Sequence, residues 1–187
     1  MAFGLRSVKN AYAGYTSGGF LQFQAADSYA TAIFNGDPVT INTTTGYAEV
    51  DAGVPTDTSG DVVGFMCGCR YVNTSGTPTW SQYYPASGGT EVYIFVAPCD
   101  KGALFEVAGA NSWNINQTGV QNAVAAGSGG STFTGNSSYV VTNATASAST
   151  GAVIIRGVKK DGSNENSSTP ILYVQIADGV SLYELGA

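Results

Sequence analysis

The fold is decided by residues 90–107, which read TEVYIFVAPCDKGALFEV. The first part, residues 91–97, is rich in β-branched and aromatic residues, and large side chains occupy both alternating faces. This pattern is typical of a strand that is covered on both sides. Pro98 has no amide hydrogen for a ladder bond and should end the strand. Asp100-Lys101-Gly102 supplies turn residues before a second short strand at 103–107, so we expect a strand, a turn and a strand at the centre of an all-β domain.

Length and composition favour one β-rich domain. The 187 residues suit a single domain spanning 1–187, with residues 1–19 as a possible extended arm or irregular segment. Charged residues make up 11 % of the chain, and small or polar residues take their place, which disfavours helix and favours short strands with tight turns. We predict one antiparallel β-barrel or β-sandwich-like domain with long Gly/Ser/Asn-rich loops and at most one short helix.

The charge balance excludes some partners. The net charge is −6 with only seven basic residues, so no basic stripe exists to neutralise phosphates and we expect no nucleic-acid partner. No apolar run is long enough to span a bilayer, so we expect no membrane partner. The N-terminal sequence MAFGLRSVKN lacks the apolar region of a signal peptide, which predicts synthesis in the cytoplasm.

Local patterns predict the remaining strands. Alternation or apolar runs predict strands at 20–24, 47–50, 61–72, 152–158 and 171–177. The last two should pair antiparallel across a long polar loop. Gly64 and Gly68 predict a bend, a bulge or a close backbone approach in the third.

Two other segments are less regular. Residues 31–34 and 38–41 flank Asn35-Gly36, which would lie near the tip of a hairpin if these segments pair. Residues 118–126, TGVQNAVAA, are the one candidate helix, with Gly127 as its stop, and a coiled loop is the alternative.

The cysteines are Cys67, Cys69 and Cys99. An odd number without a signal sequence argues against a disulfide framework. Cys67 and Cys69 should point to one face of a strand, and Cys99 could join them in a metal site. Because a fourth thiolate is missing and the chain has no histidine, we favour three small core residues and expect neither metal nor cofactor.

Enzyme signatures are absent from the sequence. Without histidine there is no Ser-His-Asp triad, and no P-loop or dinucleotide-binding motif occurs. A carboxylate pair remains as an alternative. We expect no catalysis, because most of the candidate carboxylates lie beside glycines or at turns; the candidates are Asp51, Asp57, Asp61, Glu91, Asp100 and Glu106.

Aromatic residues in predicted loops or edge segments are the candidate binding residues. In a chain with so few charges they could form a protein interface or a sugar-binding platform, whereas the alternative is a satellite core beneath long loops. The candidate interface residues are Tyr12, Tyr15, Trp80, Tyr83, Tyr84 and Trp113.

The order of strand segments resembles that of the capsid decoration (cement) proteins of tailed bacteriophages. The resemblance runs from about residue 18 to residue 180 and consists of structural strands and turns. The segments that carry it are ADS (26–28), IFNGDPV (33–39), DVVGF (61–65), VYIFVA (92–97), LFEV (104–107), VIIRGV (153–158) and LYVQI (172–176).

This resemblance implies a virion protein on the outer surface of the capsid. Its partners would be the phage major capsid protein and further copies of itself, as a dimer or a trimer. It implies no active-site residues. The alternative is a glycan- or receptor-binding module on a phage appendage, and a carboxylate-pair hydrolase is the third hypothesis.

Overall fold

The computed structural model describes residues 2–9, 19–51, 62–99, 103–119, 121–122, 124–125, 129–142, 151–160, 164 and 167–177. Within these ranges the protein is all-β, as predicted, and its helical structure is a single 3-10 turn at Ile115–Gln117. The strands are β1 (Arg6–Lys9), β2 (Leu21–Gln24), β3 (Pro38–Ile41), β4 (Ala48–Val50), β5 (Val62–Val72), β6 (Pro78–Ser81), β7 (Thr90–Pro98), β8 (Leu104–Ala108), β9 (Gln121–Asn122), β10 (Val124–Ala125), β11 (Val140–Val141), β12 (Val153–Val158) and β13 (Ile171–Ile176).

The strands form two main sheets and one small one. The five-stranded sheet has the order β1-β8-β13-β12-β9, and the six-stranded sheet has the order β2-β7-β5-β3-β4 with β6 also paired to β5. Strands β10 and β11 pair separately. All ladders between these strands are antiparallel, and neither main order closes on itself within the described residues. The architecture is therefore sandwich-like, and the barrel alternative is wrong.

Strands β7 and β8 occupy the interior of different sheets. Strand β7 lies between β2 and β5, whereas β8 lies between β1 and β13. The prediction of two central strands is confirmed, but the chain crosses from one sheet to the other between them. The predicted turn at residues 100–102 lies outside the described residues.

The core consists of two hydrophobic clusters, of which the first joins the two main sheets. The first combines residues of both main sheets, among them Phe65 of β5 and Phe105 of β8, whose rings meet edge to face with centroids 4.9 Å apart. The second packs the six-stranded sheet against Ile33 and Tyr84, which lie outside the sheet. Strand β5 contributes to both clusters, and five consecutive residues at its start are buried.

The covering of β7 differs from the prediction. Val92, Ile94 and Val96 are completely buried on one face, but Tyr93 and Phe95 on the other are only half-buried. Large side chains on both faces of a strand therefore do not imply that both faces are fully covered. The half-covered face carries the candidate site described below.

The hairpin predicted at Asn35-Gly36 does not form. Ile33 makes only an isolated bridge to Tyr84, and β3 pairs instead with β4 and β5. Residues 34–37 do form a turn, in which the amide of Asp37 donates to the Phe34 carbonyl (2.9 Å). The turn is attached to β5 rather than to a hairpin, because Gly36 donates to the Met66 carbonyl (2.8 Å).

The described residues of the segment 118–126 are not helical. Gln121–Asn122 pairs with β12, and Val124–Ala125 pairs with β11. The extended backbone gains hydrogen bonds from two neighbouring strands, which outweigh the weak helical preference of so short a segment. The antiparallel pairing of β12 and β13 is confirmed, with Ile155 opposite Val174.

Gly64 is required where β5 and β7 approach each other. A Cβ at Gly64 would overlap the Ala97 carbonyl oxygen and lie 2.6 Å from Cγ1 of Val96, and the backbone φ is 157°. We predict that Gly64→Ala lowers the free energy of unfolding by about 2–4 kcal/mol, because backbone atoms have to move. Gly157→Ala on β12 is the matched control, since nothing lies within 4 Å of its Cβ. Equal unfolding midpoints for the two variants in chemical denaturation would contradict the prediction.

Asp37 has a buried carboxyl group, and its pKa is higher in the folded protein than in the unfolded chain. Its Oδ2 accepts a hydrogen bond from the Phe34 amide (2.7 Å), and burial raises its pKa above the ordinary value of 3.8. Because the folded state holds this proton more tightly, the contribution of Asp37 to stability falls as the pH rises from 3.8 through the folded pKa, and is constant above it.

We predict that Asp37→Asn removes this pH dependence while keeping an acceptor for the Phe34 amide. The unfolding free energy of the wild type minus that of the variant should decrease as the pH rises through that window. Chemical denaturation of both proteins at a series of pH values measures the difference. A difference that stays constant or increases with pH would show that the carboxyl is not desolvated as described.

A candidate interface beside Trp80

The half-covered face of the six-stranded sheet carries an aromatic stack. Trp80 of β6 lies parallel to Phe95 of β7, with ring centroids 5.6 Å apart and an interplanar angle of 4°. Strand β5 runs between these two strands, and Gly68 of β5 is the residue opposite Phe95. Because Gly68 has no side chain, the indole can extend across β5 to the phenyl ring. The Trp80 side chain nevertheless remains 70 % exposed.

Beside this stack lies a groove of about 520 Å³, which we call the Trp80 groove. Phe20 contributes a second exposed aromatic side chain to it. None of the lining residues carries a formal charge at neutral pH, so the groove offers mainly apolar surface. The lining residues are Phe20, Cys67, Gly68, Cys69, Trp80, Ser81, Gln82 and Phe95.

Next to the groove, the positive charge of Arg70 is balanced by a carboxylate of the same sheet. Arg70 lies opposite both Trp80 and Tyr93, and its guanidinium is 5.8 Å from the centre of the Tyr93 ring. Arg70 also faces Glu91, with Nη2 and Oε2 3.9 Å apart. Both side chains of this ion pair are well exposed, so it contributes little to stability. It does keep this edge of the groove close to neutral.

A β-bulge sends Cys67 and Cys69 to different sides of the sheet. The register between β5 and β7 shifts between Met66 and Gly68, so the prediction of a shared face is wrong. Cys69 belongs to the cluster with Ile33, whereas Cys67 packs against the cluster that joins the sheets.

The thiols of Cys67 and Cys69 are poorly suited to act as nucleophiles or metal ligands, because both roles require the thiolate. Burial raises the pKa of Cys67 to about 11 and that of Cys69 to about 12, so both remain protonated at neutral pH. Cys99 is buried, and its thiol donates to the Val62 carbonyl (3.2 Å). In the described part of the chain no three cysteine, histidine or acidic residues come together as metal ligands, and the three cysteines form no disulfide.

The other predicted interface residues do not join Trp80. Tyr84 is completely buried, so its prediction as an interface residue is corrected: it is a core residue. Tyr83 is half-buried and stacks on Phe34, with ring centroids 5.4 Å apart. Trp113 packs against the inter-sheet cluster and lines a different groove. Tyr12 and Tyr15 lie outside the described residues.

Phe20 and Phe95 were missed by the sequence prediction. Phe95 belongs to a strand whose two faces look equally apolar, and only its register with Gly68 indicates that it is partly uncovered. Phe20 precedes β2 and looks like part of the strand. No local signal separates such residues from core residues, because exposure depends on the neighbouring strand.

Two of the candidate carboxylates that the structure describes lie beside a basic side chain. Glu91 faces Arg70, and Glu106 forms an ion pair with Lys159 at 3.0 Å. Asp57, Asp61 and Asp100 lie outside the described residues.

Comparison with known proteins found no matching family model, no matching curated protein and no matching solved structure. In the residues that the structure describes, no helix is long and apolar enough to cross a membrane.

We predict that Trp80→Ala is well tolerated, whereas Tyr84→Ala is not. Trp80 loses mainly its stack on Phe95, which should cost about 1 kcal/mol. Tyr84→Ala leaves a cavity at a completely buried position and should cost about 3–5 kcal/mol. Thermal unfolding measures both, and a loss for Trp80→Ala as large as that for Tyr84→Ala would show that Trp80 is a core residue rather than a binding residue.

Proposed function

We propose that this protein is a structural virion protein: a capsid decoration protein of a tailed bacteriophage. It binds the outer surface of the assembled major capsid shell and stabilises that shell. The Trp80 groove is the observation that carries the proposal, because it is an exposed aromatic surface without charged lining residues. Aromatic residues are enriched at the centre of sites that bind another protein. The resemblance of the strand segments to decoration proteins indicates which partner this is.

The composition of the groove suits a protein partner. Tryptophan residues near the centre of an interface often contribute most of the binding energy, and Trp80 is 70 % exposed before binding. Phe20 and Phe95 extend the apolar area on either side, while Ser81 and Gln82 supply polar groups. The shell protein would cover the indole and displace water from the groove.

Stabilisation follows from mass action. A protein that binds the assembled shell but not its separated subunits shifts the equilibrium towards the shell. One copy that contacts two capsid subunits adds contact area without changing their fold. Self-association into a dimer or trimer would strengthen attachment, because each further contact becomes intramolecular. This role requires no catalysis and no cofactor, and we propose that the protein has neither.

The rigidity of the groove supports the same function. Trp80 and Phe95 lie on paired strands of the six-stranded sheet, so little conformational entropy is lost when a partner covers them. A decoration protein benefits from a preformed surface, because many identical copies have to bind equivalent sites.

A glycan- or receptor-binding appendage is the second candidate function. A specific observation favours it: the exposed indole of Trp80 and the amide residue Gln82 line the same groove, and such residues are suited to packing against a sugar ring and to hydrogen bonding with its hydroxyls. The two functions differ in location, because a decoration protein is distributed over the shell and an appendage is not.

We predict that purified protein co-sediments with capsids that lack it and that Trp80→Ala weakens this binding at least about tenfold. Phe133→Ala is the matched control, since Phe133 is an aromatic residue that is 97 % exposed but does not line the Trp80 groove. The bound wild type should also raise the temperature at which capsids disrupt. Binding that is unchanged in Trp80→Ala but lost in Phe133→Ala would move the contact away from the groove, and absence of binding to capsids would contradict the proposal.

A further inference from the structure

A second groove lies on the five-stranded sheet, away from the Trp80 groove. It measures about 480 Å³, which is within the usual range of about 300–1,000 Å³ for small-ligand sites. We call it the Trp113 groove. Its lining residues are Trp113, Ile115, Thr118, Arg156, Gly157, Val158, Lys160 and Tyr173.

Gly157 creates the space between the aromatic side chains. It lies opposite Tyr173 in the pairing of β12 and β13, after a register shift between Ile155 and Gly157. A Cβ at Gly157 would meet no atom within 4 Å. The glycine therefore leaves an open position beside the half-buried rings of Tyr173 and Trp113, where a ring-shaped ligand has apolar surface to pack against.

The groove is also locally basic in an acidic protein. Three of the seven basic residues of the chain occur within five positions, at Arg156, Lys159 and Lys160, although the net charge is −6. Lys159 is engaged by Glu106 at 3.0 Å. Arg156 and Lys160, which line the groove, have no ion-pair partner among the described residues.

Arg156 is oriented by a neighbour. Its Nε donates to Oε1 of Gln175 at 2.9 Å, which holds the guanidinium on the outer face of the sheet. The planar guanidinium suits a carboxylate, and Lys160 adds a second positive charge on the same groove. Tyr173 and Thr118 bring hydroxyl groups that can donate to sugar oxygens.

We propose that the Trp113 groove binds an acidic saccharide, with the carboxylate of a uronic-acid-type residue on Arg156 and Lys160. The apolar face of the sugar ring packs between Trp113 and Tyr173 in the space above Gly157. The combination of aromatic surface, an open glycine position and two cations without an ion-pair partner in the described part of the chain favours such a ligand over a neutral sugar, which carries no charge for them to bind. The proposal is independent of capsid binding, which uses the other groove.

The experiment titrates digalacturonic acid into the protein and follows tryptophan fluorescence. The chain has two tryptophans, so Trp80→Phe makes Trp113 the only reporter while keeping an aromatic ring on Phe95. We expect a saturable fluorescence change with digalacturonic acid and a much smaller one with the neutral disaccharide galactobiose. In the same background Arg156→Gln should weaken binding at least about tenfold, because it removes a charge-assisted contact.

Gly157→Val tests the position of the ligand. The added side chain should enter the groove and abolish binding, while the fold is retained because a β-branched residue suits a strand and its Cβ meets no atom within 4 Å. Unchanged thermal unfolding of Arg156→Gln and Gly157→Val would confirm that only the groove has changed.

Four results would overturn the proposal. They are the absence of a saturable change up to about 10 mM ligand, equal binding of galactobiose, unchanged binding by Arg156→Gln, and equal binding of a hexaglutamate peptide. The last result would show general attraction of anions rather than saccharide recognition. Capsid binding by the same variants is measured separately. A negative result for saccharide binding therefore does not contradict capsid binding, and the reverse also holds.

Discussion

The packing of β5 between two hydrophobic clusters is the constraint on which the rest of the structure depends. Val62 and Phe65 face the cluster shared with the five-stranded sheet, while Val63 and Met66 face the cluster beneath Ile33 and Tyr84. A strand that is buried on both sides leaves no alternative register, because a shift of one residue would exchange every contact. The 34–37 turn docks on the same strand through Met66 and so fixes the second cluster.

The candidate interface lies where the covering of β5 becomes incomplete. Beyond the bulge at Cys67, β5 is no longer covered by the five-stranded sheet as completely as at its start, and Gly68 provides no side chain above Phe95. Trp80 covers part of this gap from the neighbouring strand and remains mostly exposed. An apolar surface is thus held on rigid strands rather than on a loop, which favours recognition of a partner of fixed shape.

Much of the fold could be predicted from local sequence, but less of the site. The strands at 90–98, 153–158 and 171–176 have strong β-branched and aromatic patterns, and the special role of Gly64 could be anticipated from its place in an apolar run. The division of β7 and β8 between two sheets depends on distant pairing and has no local signal. Trp80 was correctly placed at an exposed edge, whereas Tyr84, four residues further on, is core because it bridges Ile33.

A cryo-electron reconstruction of a capsid carrying this protein would show whether the Trp80 groove binds the major capsid protein. We expect density for the domain at symmetry-related positions on the outer surface, with the face that contains Trp80 and Phe95 against the major capsid protein. Density confined to the tail or a fibre would contradict this expectation. So would a domain on the shell whose Trp80 groove faces solvent.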